Sequence, residues 1–187
     1  MSYKTYTTDA LVCGSFVSSA SDKSYLLLTR EAGMIIASAR SVREEKSKQR
    51  YALQEFSLIR VSLVQGKSGW RIGSVEACKN YYQSASDRAT RVLVSEMVKL
   101  LRRFLQGEGV NEGVYEEAER ALDAVVEDED NKHYADFFTL RLLAHLGYIP
   151  PQKDLQEWLS QNQYKNYQPL SATALKAIDT ALEESHL

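Results

Sequence analysis

Five short apolar runs, at residues 10–16, 25–29, 34–39, 56–64 and 70–75, crowd into the first part of the chain with turn residues between them. Residues 18–23 are rich in serine, residues 31–33 end at Gly33, and Gly66 and Gly69 frame the tight connection in VQGKSGW. The runs half-alternate: Ile59, Val61 and Leu63 fall on one face of an extended chain, Arg60 and Ser62 on the other. Five such strands bury their apolar faces most economically by closing on themselves. The expectation is a small five-stranded antiparallel barrel with one wet side.

At about Ser86 the period becomes that of helices. At 100° per residue Leu93, Met97, Leu100, Leu101 and Phe104 share a face, and Gly107 and Gly109 end the helix. A second helix follows Asn111 with Val114, Ala118, Leu122 and Val125 spaced for burial. The segment HYADFFTLRLLAHLGYIPP is apolar around most of its circumference and belongs in the middle of a bundle. Pro151 can open a short fourth helix carrying Leu155, Trp158 and Leu159, and Ser171 can cap a fifth carrying Leu175, Ile178 and Leu182. The polar SQNQYKNYQP between them reads as an exposed loop. The fold class is therefore α+β, with a barrel domain at residues 1–78 and an α-helical domain at residues 79–187.

Net charge is −2, which at first sight speaks against a nucleic-acid partner. Split by region the charge tells another story: residues 1–76 hold 11 Lys/Arg and 7 Asp/Glu, for +4, and residues 77–187 hold 12 and 18, for −6. Within the second part, residues 77–107 alone carry six bases and two acids. The loop SARSVREEKSKQR concentrates Arg40, Arg43, Lys46, Lys48 and Arg50 between the third and fourth strands. It is either a solvated loop kept soluble by charge or a rim that tracks phosphates beside an OB-type barrel, joined by Arg71. Arg88, Arg91, Lys99, Arg102 and Arg103 form a stripe opposite the apolar face of the first helix, and the expectation is one positive surface continuous with the barrel. Tyr25, Tyr51, Phe56 and Trp70 are base-stacking candidates, Tyr51 and Trp70 foremost.

Catalysis finds little footing. His133, His145 and His186 are scattered, and no glycine-rich phosphate loop, nucleophile elbow or HExxH motif occurs. The two cysteines, Cys13 and Cys78, are too few for a four-thiolate zinc site and are expected as buried thiols in a reducing compartment. No cofactor or metal is expected. No apolar run reaches the roughly 18 to 20 residues that cross a bilayer, and MSYKTYTTDA lacks the apolar core of a signal peptide, so a cytoplasmic protein is expected.

The stretch YLLLTREAGMIIASARSVREEKSKQRYALQEFSLIRVSL resembles the N-terminal OB-fold of the bacterial recombination mediator RecO family: a LLTxExG turn, a basic loop and an LQPF-like strand entry. Here that entry reads Leu53-Gln54-Glu55-Phe56, with Glu55 in place of the usual proline. FFTLRLLAHLGYIP, residues 137–150, is similar to the family's FELRLLxxLGYxP helix, with Thr139 where an acid is common. The resemblance implies a protein that binds single- and double-stranded DNA, anneals complementary strands, and works with RecR to load RecA onto strands coated by single-strand-binding protein, SSB. Many members carry a four-cysteine zinc module after the LGY helix; with no cysteine after Cys78, this chain is expected to be a zinc-free, shortened member. An acidic SSB tail ending in phenylalanine needs an apolar pocket rimmed by cations, for which Arg102, Arg103, Phe104, Phe138, Arg141 and Leu142 are the candidates. For Arg141 the competing reading is a pair with a structural carboxylate. A protein-interaction adaptor that does not itself bind DNA is the alternative function, and a small Mg²⁺ nuclease built on the acids of residues 108–130 is a remote third.

Overall fold

The computed structural model describes residues 5–67, 69–109, 112–128, 130–160, 164 and 169–185. Strands β1 (Thr5–Val17), β2 (Lys23–Thr29), β3 (Gly33–Ala39), β4 (Ser57–Gly66) and β5 (Gly69–Asn80) close into a barrel in the order β1-β2-β3-β5-β4, with helix α1 (Gln49–Ala52) inside the basic loop. The barrel is not wholly antiparallel, because β3 and β5 meet in parallel at Ala37↔Trp70 and Ser38↔Arg71. Strand β1 divides its length between its two neighbours. The first half of β1 pairs with β4 and its second half with β2, and the register slips at Cys13, where a bulge bends the strand.

The alternation expected of the fourth run holds: Ile59, Val61 and Leu63 are buried with Val12, Leu27 and Ile35, while Arg60 is exposed. Two strands outrun their apolar runs, since Thr5–Asp9 and Glu76–Asn80 are polar yet complete the β1–β4 and β4–β5 ladders. Phe56 lies outside the strand it was expected to open; its φ of 68° lets its N–H donate to the Val12 carbonyl at 2.8 Å. Cys13 is buried, but Cys78 is exposed, contrary to expectation, because residues 76–78 of β5 face solvent.

Gly33 fixes a later part of the chain. It has φ +71°, and a Cβ there would stand 2.1 Å from the Gly109 carbonyl oxygen, so only glycine lets residues 105–109 lie against the barrel. Gly33 bridges to Glu108, and the Gly109 N–H donates to Ala32 O at 3.3 Å. The chain accordingly divides into two compact units, Met1–Ser84 with Leu105–Tyr115, and Ala85–Phe104 with Glu116–Leu187. The first contains also the short helix α2 (Tyr81–Ser84).

The second unit is helical: α3 (Arg88–Phe104), most of α4 (Glu112–Glu127), α5 (Tyr134–His145), a 3-10 turn (Lys153–Leu155), α6 (Gln156–Ser160) and α7 (Ala172–Glu184). As its composition implies, α5 is central, packed against α3, α6 and α7, and it ends at Gly147 with φ +81°. Ser171 caps α7 by accepting the Ala174 N–H at 3.2 Å. On α3 the buried face is Thr90, Val94, Met97, Val98, Leu101 and Phe104, rotated from the expected one, so Leu93 and Leu100 are only half-buried. Among the described residues no helix is long and apolar enough to cross a membrane, and no group of three or more His, Cys, Asp or Glu side chains is placed to hold a metal ion.

Candidate nucleic-acid interface

The basic loop is a structured rim. Val42 and Leu53 plug into the barrel core, so Arg40, Arg43, Lys46 and Lys48 between and beside them face solvent. Ser41 adopts φ 51°, and its N–H donates to Asp22 Oδ1 at 2.8 Å, tying the loop to the β1–β2 turn. Arg43 adds two bonds to the same turn, from its N–H to Ser21 O at 3.1 Å and from Nη1 to Ser19 O at 3.0 Å. The Ser41 amide holds the Asp22 carboxyl below its ordinary range, aided by the Ser21 and Ser19 hydroxyls and the Arg40 charge and opposed by desolvation.

Beside this rim is a cavity of about 480 Å³ whose polar lining includes Lys23, Arg43, Arg50, Gln54 and Glu55. Three cations face one carboxylate, and Glu55 is engaged by the Ser15 hydroxyl at 3.0 Å. Tyr25 forms an apolar wall, where burial raises its phenol pKa and keeps the ring neutral. Lys23 was not picked out in the sequence. Its signal is register, because it pairs with Ala39, the residue before Arg40.

The stacking candidates separate. Tyr51 is 63% exposed, with the Arg50 guanidinium 4.7 Å from its ring centroid, and thus presents a ring beside cations. Trp70 is only 9% exposed, is met edge-on by Tyr6 and donates its indole N–H to Glu108, so it offers no open face to a base. Tyr25 is buried, and Phe56 stacks on Tyr82 at 5.3 Å. Arg71 sits half-buried on the β3–β5 seam, outside the cavity.

On α3, Arg88, Lys99 and Arg102 are exposed along one stripe, and Arg91 is half-buried. Arg103 is drawn into structure, donating to Leu182 O at 3.0 Å and to the Ser185 hydroxyl at 3.1 Å. The tail-pocket candidates are largely interior: Phe138 and Leu142 are fully buried, and Phe104 packs edge-on against Tyr148 at 5.2 Å. Arg141 is buried with Nε 2.8 Å from Glu117 Oε1, so it serves a structural carboxylate and does not rim an open pocket. Glu117, 0% exposed, also accepts from Arg120 at 2.9 Å and from the Tyr164 hydroxyl. Tyr164, 4% exposed, comes from the connection expected to be a solvated loop.

Comparison with known proteins agrees with this architecture. The family model described as Recombination protein O N terminal matches residues 1–81, and that described as Recombination protein O C terminal matches residues 85–154. The DNA repair protein RecO of Caldanaerobacter subterraneus is 28% identical over 144 residues, covering 76% of this chain and 58% of the relative. That of Symbiobacterium thermophilum is 29% identical over 146 residues, covering 78% and 58%, and that of Myxococcus xanthus 28% over 146 residues, covering 78% and 60%. The chain thus spans about three fifths of the length of these relatives.

Proposed function

Because the chain belongs to the recombination protein O family, we propose that it is a DNA-binding recombination mediator that holds single and double strands, anneals complementary ones and helps RecR load RecA onto SSB-coated strands. The observation that carries this reading is the cationic mouth of the barrel, where Lys23, Arg43 and Arg50 surround a cavity beside the exposed Arg40, Lys46 and Lys48. Phosphates supply most of the affinity at such a site, and Tyr51 supplies a ring on which a base can stack. Annealing follows from charge: two backbones neutralised by protein cations no longer repel each other, and base pairing supplies specificity. Arg71 and the exposed stripe of Arg88, Lys99 and Arg102, with Arg91 beside it, add further phosphate contacts in this proposal. The role is one of holding and delivering strands in the cytoplasm, with no bond made or broken by the protein.

The test is anisotropy of labelled oligonucleotides across a salt series. Replacing Arg40, Lys46 and Lys48 together by alanine is expected to weaken binding to all sequences alike and to flatten the log K against log salt slope by about 2 on single strands and nearly 3 on duplex. An unchanged slope removes the loop from the site. Absence of any salt-sensitive binding by the parent leaves the adaptor reading in its place. The SSB tail is proposed as a ligand of the helical unit, where Arg102 and Arg103 are the members of the expected pocket nearest solvent, with Phe104 buried beside them. A tail peptide that binds the Arg102→Ala, Arg103→Ala double variant as tightly as the parent excludes them.

A further inference from the structure

The barrel has a second mouth of opposite character. A cavity of about 690 Å³ lies by the Thr5–Thr8 end of β1, whereas Ser15 of the same strand lines the cationic cavity. Its apolar floor is Leu63 and Trp70, and Tyr6, 43% exposed, forms a wall with its ring 5.6 Å from that of Trp70. Two carboxylates stand on the rim, Glu31 and Glu108, and among the described residues no Lys, Arg or His lines the cavity. Each carboxylate is held by a neutral donor on the barrel. The Thr8 hydroxyl donates to Glu31 Oε2, and the Trp70 indole N–H donates to Glu108 Oε1 at 2.7 Å. Among the described residues neither is paired with a cation.

This combination selects its ligand by charge. Two acceptor-only groups repel a phosphate backbone, and the indole edge that might read a base is already committed to Glu108. A flat cation satisfies the site at once: its charge meets the carboxylates, its N–H groups reach their remaining lone pairs, and its face lies against the exposed Tyr6 ring. An arginine side chain fits best, because guanidinium is planar, weakly hydrated and forked.

We infer that the cavity bounded by Tyr6, Trp70, Glu31 and Glu108 is a docking pocket for an arginine side chain presented by a partner protein. It is separate from the proposed DNA-binding mouth. The basic loop thus attracts nucleic acid while the opposite end of β1 admits a protein and turns nucleic acid away.

The Trp70 indole N–H resonance is the reporter, because that N–H donates to Glu108, one of the proposed ligating carboxylates; Trp70→Phe assigns it and Trp158 is the internal control. The full ¹⁵N-labelled chain is titrated with N-acetylarginine amide, with the uncharged N-acetylglutamine amide, and with deoxycytidine monophosphate. The arginine amide is expected to move the Trp70 resonance with saturation at about 1 to 10 mM, and the other two are expected to leave it in place. Glu31→Gln with Glu108→Gln should weaken the arginine response at least about tenfold, since both charges that attract the guanidinium are gone. The same variant should keep the parent melting temperature and the parent salt slope on DNA. A Trp70 resonance that ignores the arginine amide, that follows the nucleotide instead, or that responds equally in the double variant overturns the assignment.

Discussion

Glu117 and Arg141 are individually expensive to bury and tolerable only together. Glu117→Gln leaves the Arg141 guanidinium buried without its counter-charge, and a loss of roughly 3 to 5 kcal/mol in urea unfolding is expected. Glu117→Leu combined with Arg141→Met should recover most of that loss, because no charge is then stranded. Tyr164 completes the group: burial above all, and then the Glu117 charge, raises its pKa well above the ordinary value, so its hydroxyl remains a donor at neutral pH. None of this was legible in SQNQYKNYQP, because a tyrosine among polar residues signals an exposed loop unless its buried partner is known. Gly33 was marked in the sequence only as part of a turn. Its φ and its approach to Gly109 make Gly33→Ala cost at least about 2 kcal/mol, seen as a fall of more than about 4 °C in Tm.

Among the elements, periodicity located the strands and helices, but pairing set their lengths and faces. The alternation in β4 was readable because every second residue is strongly apolar, whereas polar Thr5–Asp9 and Glu76–Asn80 become strand only through the partner ladders. The parallel β3–β5 closure leaves no local trace, as it joins segments 33 residues apart at Ala37↔Trp70. On α3, valines at 94 and 98 displaced the larger Leu93 and Leu100 from the interior. Asp87 starts this helix by accepting the Thr90 N–H at 2.8 Å, and that bond, with the Thr90 hydroxyl, lowers its pKa below the ordinary 3.8. Asp22 is lowered likewise by the Ser41 amide. A carboxyl whose pKa is depressed by folding adds stability that is complete above its unfolded value and disappears as pH falls through its folded value. Thermal melts should therefore decline on acidification below about pH 4 to 5, and Asp87→Ala should lower Tm at neutral pH and make that decline shallower.

For the whole molecule, the net charge of −2 conceals an uneven distribution, with the excess of bases in residues 1–107. The cationic mouth gathers Arg43 and Arg50 as the composition of the loop foretold, but it also uses Lys23, which only the β2–β3 register brings there. If the stripe on α3 contributes its own phosphate contacts, Arg88→Ala with Lys99→Ala and Arg102→Ala will flatten the salt slope by a further 2 to 3 units, added to the effect of the loop variant. A slope equal to that of the parent assigns DNA binding to the barrel unit alone. The same unit draws on chain from two places, Met1–Ser84 and Leu105–Tyr115. During synthesis, Gly33, Trp70 and Arg30 are therefore made before Gly109, Glu108 and Tyr115 exist to meet them. At 5 to 20 residues per second the 31 residues from Ser84 to Tyr115 take roughly two to six seconds. For that interval the nascent barrel carries an unfinished side, and α3 is made before the first domain is complete.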